Sequence, residues 1–149
     1  MKKLITLFLL SFLYNGIYSQ NLNTKNLLWR NIGPANMMGR IAAIDASNKD
    51  YRKVLIASAS GGVFKSDNAG VTWESIFDKY GAGSIGSVKF DQNNLNTIWV
   101  GTGESANRNS SAWGDGIYKS IDGGKTFTNM GLKSTHQIAE IEIHPNNSN

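Results

Sequence analysis

An internal repeat is the feature that most constrains what this 149-residue chain can fold into. Residues 66–73 (SDNAGVTW) and 120–127 (SIDGGKTF) share the pattern Ser-x-Asp/Asn-x-Gly-x-Thr-aromatic. A Gly-aliphatic-aromatic-Lys tetrapeptide precedes each octapeptide, at 62–65 and at 116–119. Self-similarity of this kind indicates a chain built from stacked copies of one small structural unit.

The similarity extends backwards from the octapeptides. Residues 41–44 (IAAI) lie 44 positions before residues 85–88 (IGSV), and residues 54–57 lie 44 positions before residues 98–101. A further echo of the first segment occurs at 138–141 (IAEI). The second unit is longer because it carries one insertion, residues 105–115.

Each unit contains four short runs of strand-forming residues separated by turn residues. The predicted strands are 41–45, 54–58, 62–66 and 72–77 in the first unit, and 85–90, 97–102, 116–120 and 126–130 in the second. No sustained 3.6-residue apolar period follows residue 19, so almost no helix is expected. Four strands in roughly 40–50 residues are typical of one blade of a β-propeller.

The predicted fold class is therefore all-β, made of four-stranded antiparallel propeller blades. Two blades are complete, at about 41–77 and 85–131, and flanking strands are expected at 29–32 and from 138 onwards. A propeller needs about 4–8 blades to close its ring. We therefore expect residues 20–149 to be the N-terminal part of a longer propeller, with the remaining blades beyond Asn149. The alternative is a small open β-sheet domain that is complete as it stands.

The first 19 residues have the pattern of a secretory signal peptide. Met1, Lys2 and Lys3 precede an apolar run at 4–14 and a polar stretch at 15–19, with cleavage expected near Ser19. The apolar run is short for a membrane span, so no span is expected in the mature chain. The predicted location is secreted, periplasmic or cell-surface.

Composition removes several classes of function. Loss of Lys2 and Lys3 with the signal peptide lowers the formal charge from +4 to +2, so nucleic-acid binding is not expected. The chain has no Cys, which excludes disulfides, thiol nucleophiles and Cys-ligated metals. His136 and His144 are the two histidines, and neither has a metal-ligand pattern around it, so no metal site and no cofactor is predicted.

The repeated octapeptide has a mechanical explanation that requires no substrate. An Asp or Asn in a tight turn accepts hydrogen bonds from nearby backbone N–H groups, Gly supplies a positive φ, and the final aromatic residue packs on the sheet. Structural roles are accordingly predicted for two matching sets of residues: Ser66, Asn68, Gly70, Thr72 and Trp73, and Ser120, Asp122, Gly124, Thr126 and Phe127.

Residues 120–127 resemble the Asp-box, also called the BNR repeat, of sialidase-like, sortilin-like and xyloglucan-hydrolase-like propellers. Residues 66–73 are similar but carry Asn68 at the Asp position. Segments 29–34, 39–41, 101–104 and 113–120 also resemble large secreted bacterial propeller proteins, described as sortilin N-terminal-like or glycosyl-hydrolase-like. The resemblance implies a fold more than an activity, because the Asp-box occurs with many functions.

The same resemblance implies which loops could face a ligand. In such propellers the Asp-box turn joins the third and fourth strands, so the other loops gather at the opposite end: 36–40, 81–84, 134–137 and 104–115. The candidate ligand-binding residues there are Arg40, Glu104, Asn107, Arg108, Trp113 and Asp115, a mixture suited to a sugar or a peptide. The alternatives are that Trp113 and Asp115 only pin a long loop and that Arg40 bonds to blade backbone.

No catalytic residue is assigned. Xyloglucan-hydrolase-like propellers are expected to carry a catalytic Asp shortly before a Gly-Gly pair, and Ala59 stands at that position here. The favoured function is therefore binding of a peptide or carbohydrate. The alternative is the N-terminal part of a xyloglucanase-like or sialidase-like glycoside hydrolase, with most catalytic residues beyond Asn149. Glu104 and Asp115 are the candidate carboxylates for that chemistry within the chain.

Overall fold

A computed structural model of the chain describes residues 40–106 and 109–148. The predicted signal peptide and the predicted strand at 29–32 lie outside the described residues, as do two candidate ligand-binding residues, Asn107 and Arg108.

The described residues form two four-stranded antiparallel sheets and contain no helix. The first sheet has the order β1-β2-β3-β4 and the second β5-β6-β7-β8. The strands are β1 (Ile41–Ala46), β2 (Val54–Ser58), β3 (Gly62–Ser66), β4 (Glu74–Ser75), β5 (Ile85–Asp91), β6 (Asn94–Thr102), β7 (Ile117–Ser120) and β8 (Thr128–Gly131). The predicted fold class is confirmed: each repeat unit is one blade-like sheet whose strands follow in chain order.

The hydrophobic core lies between the two sheets. Strand β5 packs on β1 and β2, so the first strand of the second unit contacts the sheet of the first. The β-branched and aromatic residues that make the strands also supply the buried side chains. These are Leu55, Ala57, Val63, Phe77, Ile85, Val88, Phe90, Ile98, Val100, Tyr118 and Phe127. Full burial of a large apolar side chain contributes roughly 1.5–3 kcal/mol, so this layer is a main source of stability.

A cluster of four aromatic rings joins the two units. Phe77 and Tyr80, which follow β4, contact Tyr118 and Phe127 of the second sheet with ring centroids 5.1 to 5.8 Å apart. The Phe127 N–H donates a hydrogen bond of 2.7 Å to the Tyr80 hydroxyl. The segment between the blades is thus a packed part of the core, because its aromatic residues fill the space that the two sheets leave.

The octapeptides form tight turns closed by side chains. In the second turn, the Ser120 hydroxyl accepts from the Gly124 N–H at 2.9 Å, and the Asp122 carboxylate accepts from the Thr126 N–H at 2.9 Å. Gly124 has φ +95°, a conformation that side chains disfavour. The first turn repeats this pattern with Asn68, which accepts from the Thr72 N–H at 2.8 Å.

The outer strands are shorter than predicted. The sequence predicted strands at 72–77 and 126–130, whereas β4 and β8 begin at Glu74 and Thr128. The reason is that the N–H groups of Thr72 and Thr126 are bonded within the turns and are therefore unavailable to the sheet.

The strand predicted from residue 138 is not formed. Residues 137–144 have no regular strand pairing, although the segment lies against the second sheet. The Ile138 N–H donates to the Thr102 carbonyl at 3.1 Å, and the Ile141 N–H donates to the Ser87 hydroxyl at 3.1 Å. A first blade strand gains its ladder from a second strand of the same blade, and no such strand pairs with this segment among the described residues.

Candidate functional site

Antiparallel pairing gathers several loops at one end of the sheets. Ile41 pairs with Ser58, and Ser58 pairs with Gly62, so the start of β1 and the β2–β3 connection share that end. The corresponding connections of the second unit lie there as well. We call this end the loop face, formed by residue 40 and by segments 59–61, 81–84, 103–106, 109–116 and 132–137. The octapeptide turns lie at the opposite end.

An ion pair between Arg40 and Glu104 joins the two units at the loop face. Glu104 is 2% exposed and Arg40 is 37% exposed. The Glu104 N–H also donates to the Ser84 hydroxyl at 2.9 Å, so this residue is held by both its backbone and its side chain. The Arg40 guanidinium pairs with a carboxylate, whereas its own carbonyl accepts from the Ala59 N–H at 2.9 Å. Because the two opposite charges compensate, a carboxylate can be buried here.

Trp113 stands at the surface of the loop face, 67% exposed. Its indole stacks on the His136 imidazole with ring centroids 4.0 Å apart and ring planes inclined by 2°. The backbone is held on both sides of Trp113. The Ala112 carbonyl accepts from the Ser84 hydroxyl at 3.1 Å, and the Gly114 N–H donates to the His136 carbonyl at 2.8 Å. The position of the ring is therefore fixed by the fold although the ring itself is open to solvent.

Asp115 is engaged in holding the insertion. Its carboxylate accepts from the Tyr118 hydroxyl at 2.6 Å, its N–H donates to the Thr102 hydroxyl at 2.8 Å, and its carbonyl accepts from the Asn129 amide at 3.1 Å. Burial, together with the bond to Asp115, raises the pKa of the Tyr118 hydroxyl. These contacts fit the alternative in which Asp115 pins the loop.

Two glycines allow segments of the loop face to approach one another closely at the end of β6. A Cβ on Gly103, which has φ +89°, would lie 2.0 Å from the His136 carbonyl oxygen. A Cβ on Gly114 would lie 2.3 Å from the Thr102 carbonyl carbon. Both distances are too short for atoms that are not bonded to each other. The close packing at the base of the loop therefore depends on glycine at positions 103 and 114.

The structure therefore brings together four of the six predicted ligand-binding residues: Arg40, Glu104, Trp113 and Asp115. Sequence reasoning missed the partnership between Trp113 and His136, which are 23 positions apart and share no repeat pattern. Gly103 and Gly114 were the available signal, since a residue without a Cβ permits close backbone contacts.

Three further observations concern metal binding, the position expected for a catalytic Asp, and membrane insertion. Within 40–106 and 109–148, no group of three or more His, Asp or Glu side chains is arranged to hold a metal ion. Ala59 is 3% exposed at the foot of the β2–β3 connection. No helix in the described part of the chain is long and apolar enough to cross a membrane.

Comparison with known proteins identifies the fold. No family profile and no curated protein matches the chain. A GH74 enzyme of Niastella koreensis is similar with a TM-score of 0.47 and 27% identity over 60% of this chain. An ancestral GH74 enzyme is similar with a TM-score of 0.51 and 20% identity over 66% of this chain. The chain spans 13% of the length of each of these structures, and the likeness to the ancestral enzyme shows that its sheets have the fold of β-propeller blades.

Proposed function

We propose that the chain is part of a secreted Asp-box β-propeller that binds a peptide or a carbohydrate through the loop face. The observation that carries this proposal is the exposed Trp113 ring, which stacks on His136 and lies at the same loop face as the Arg40–Glu104 pair. Ligand sites combine aromatic surface with a few fixed polar groups, and they concentrate on loops carried by a rigid scaffold.

The Asp-box part of the proposal is supported by the two octapeptide turns. Ser120 and Asp122 together accept hydrogen bonds from the backbone N–H groups of Gly124, Lys125 and Thr126. The side-chain oxygens of Ser120 and Asp122 therefore have partners inside the turn, which supports a structural role for both residues. The secretion part is supported by the charge and hydropathy pattern of residues 1–19.

Binding is favoured over catalysis because both candidate carboxylates are occupied. Glu104 is buried against Arg40, and Asp115 accepts a hydrogen bond from Tyr118. Hydrolysis of a glycoside usually requires two carboxyl groups that flank the scissile bond, one of them free to exchange a proton. Ala59 stands where the resemblance expects a catalytic Asp.

Glycoside hydrolysis is the second candidate function. The blade fold shared with an ancestral GH74 enzyme favours it. In this case the described sheets would form part of a substrate cleft, and the carboxylates would be supplied by blades beyond Asn149.

The experiment that tests the proposal uses the protein expressed from its complete gene. Binding is measured by affinity electrophoresis in gels containing polysaccharides and on a peptide array, and hydrolysis is measured by the release of reducing sugars. We expect binding to one of the two ligand classes. Binding to neither would overturn the proposal. Hydrolysis lost in Glu104→Gln or Asp115→Asn would replace binding with catalysis at this face, whereas hydrolysis unaffected by both would assign the chemistry to other blades.

A further inference from the structure

The stacked rings of Trp113 and His136 are the strongest unexplained feature of the loop face. We infer that this pair is a platform for a pyranose ring of a neutral polysaccharide. The inference rests on the proposed function, since it names the ligand class and the contact surface of that same face.

The platform is built before any ligand arrives. The bonds made by Ala112 and Gly114 fix the backbone on either side of Trp113, and the imidazole lies parallel to the indole at 4.0 Å. A ring fixed in advance loses little conformational freedom on binding, so more of the contact energy appears as affinity.

A structural role alone does not account for the indole. A buried aromatic residue stabilises a fold by removing a large apolar area from water, but Trp113 remains 67% exposed. The loop is anchored by Asp115, Thr102 and Gly114, whose contacts do not involve the Trp113 side chain. The ring is therefore held by the loop rather than the loop by the ring.

The shape of the site favours a sugar over a peptide. The indole is an open flat surface that matches the C–H face of a pyranose, whereas the side-chain anchors of peptides prefer enclosed pockets. Trp113 also lies in a loop, so a peptide cannot bind there by adding a strand to a sheet edge.

The local charge favours a neutral ligand. Among the described residues of the loop face, Arg40 pairs with Glu104, and Lys133 and Asp115 carry one charge of each sign, so these charges sum to zero. Such a face offers hydrogen-bonding groups to sugar hydroxyls without an excess charge that would select an ionic partner.

The test measures affinity of the full chain for hydroxyethyl cellulose, mixed-linkage β-glucan and galactomannan, with carboxymethyl cellulose as the charged comparison. We expect at least one neutral polymer to bind better than the charged one. We expect Trp113→Ala to weaken that binding about tenfold, the loss of one aromatic stacking contact, and Trp113→Phe to retain part of it.

The matched control is Tyr51→Ala. Tyr51 is also an exposed aromatic residue, at 78%, but it lies in the β1–β2 connection at the opposite end of the sheets. This variant should bind like the wild type. Thermal melting of every variant establishes that it is folded.

His136 acts through Trp113 and is a positioning residue. His136→Phe preserves a flat ring behind the indole and should keep most of the affinity, whereas His136→Ala should lower it. Ligand-induced change in tryptophan fluorescence provides a second readout, and it should disappear in Trp113→Phe although Trp29, Trp73 and Trp99 remain.

The outcomes separate the two proposals. Polysaccharide binding that survives Trp113→Ala unchanged would overturn the platform and leave ligand binding by the loop face standing. Binding to peptides in place of polysaccharides would have the same effect. Binding to neither class would overturn both.

Discussion

The two sheets of the molecule are built to one plan and differ where only one of them carries a long loop. Ile41 pairs with Ser58 as Ile85 pairs with Thr102, and a register shift follows the first pair in both sheets. The inner pairs continue the match through β3 and β7 to the last strand. Residues shared by the two units therefore specify the sheet.

Three differences between equivalent positions specify what the second unit adds. Ala59 corresponds to Gly103, Phe64 to Tyr118, and Asn68 to Asp122. The first two differences serve the loop face: Gly103 admits the His136 carbonyl of segment 132–137, and the Tyr118 hydroxyl binds Asp115 of the insertion. The comparison teaches that two of these three differences lie next to the inserted loop, whereas the third lies in the turn at the opposite end of the sheet.

The largest effect on stability is expected from Gly103→Ala, which gives the second unit the residue that the first unit has at the equivalent position, Ala59. Gly103→Ala places a Cβ against the His136 carbonyl at φ +89°. Strain at a positive φ and overpacking each cost roughly 1–3 kcal/mol, so the free energy of unfolding should fall by about 3 kcal/mol. Urea unfolding measures the loss.

The matched control for that change is Ala59→Gly, which makes the first unit resemble the second. It adds no atoms, so its effect should stay below about 1 kcal/mol. Equal urea midpoints for Gly103→Ala and the wild type would show that the close approach of residues 103 and 136 is not needed for the fold.

An intermediate effect is expected from Tyr118→Phe, which gives the second unit the ring of the first. The Asp115 carboxylate loses its hydrogen bond from the hydroxyl, at a cost of about 1 kcal/mol. Thermal unfolding reports this loss. The control is Phe64→Leu at the equivalent position of the first unit. It removes no hydroxyl, so it changes packing alone. A Tyr118→Phe protein as stable as the wild type, with unaltered polysaccharide affinity, would mean that Asp115 holds the loop without this bond.

The smallest effect concerns the turns and depends on pH. The Thr126 hydroxyl, with the Thr126 N–H and the Ser120 hydroxyl, holds the pKa of the Asp122 carboxyl well below its usual range. A lowered folded pKa means that the stabilisation is complete above the unfolded value of about 3.9 and is lost as pH falls through the folded pKa. Asp122→Asn should therefore lose stability at neutral pH, and the deficit should shrink in acid.

The reverse substitution sharpens the comparison of the turns. At Asn68 the side-chain amide donates to the Thr72 hydroxyl, whereas at Asp122 the Thr126 hydroxyl donates to the carboxylate. Asn68→Asp should reverse the direction of that bond and bring acid sensitivity to the first turn. Urea midpoints across the acid range measure both variants, and a deficit in Asp122→Asn that does not vary with pH would contradict the assigned role of the carboxylate.

The repeat made most of the fold accessible from sequence. Position-by-position similarity around residues 62–73 and 116–127, together with the turn residues between the runs, predicted four strands in each unit. The lengths of the outer strands were overestimated, because strand propensity does not show that the N–H groups of Thr72 and Thr126 are bonded within the turns. The strand expected from residue 138 required a pairing partner, which local pattern cannot supply.

The candidate site was accessible only in part. Loop position and residue type identified Arg40, Glu104 and Trp113. The contact between Trp113 and His136 depends on how segment 132–137 returns across the insertion, a tertiary relation without a periodic signal. The same holds for the ion pair, whose members belong to different units.

The docking of segment 137–144 has a consequence for the order of events during synthesis. The segment contacts the second sheet through Ile138 and Ile141, as β5 contacts the first sheet. When β5 leaves the ribosome, the completed first sheet thus offers it a packing surface before its hairpin partner β6 has been synthesised. Blades can then be added one at a time in the direction of translation, which limits the unpaired strand edge exposed to other chains at any moment.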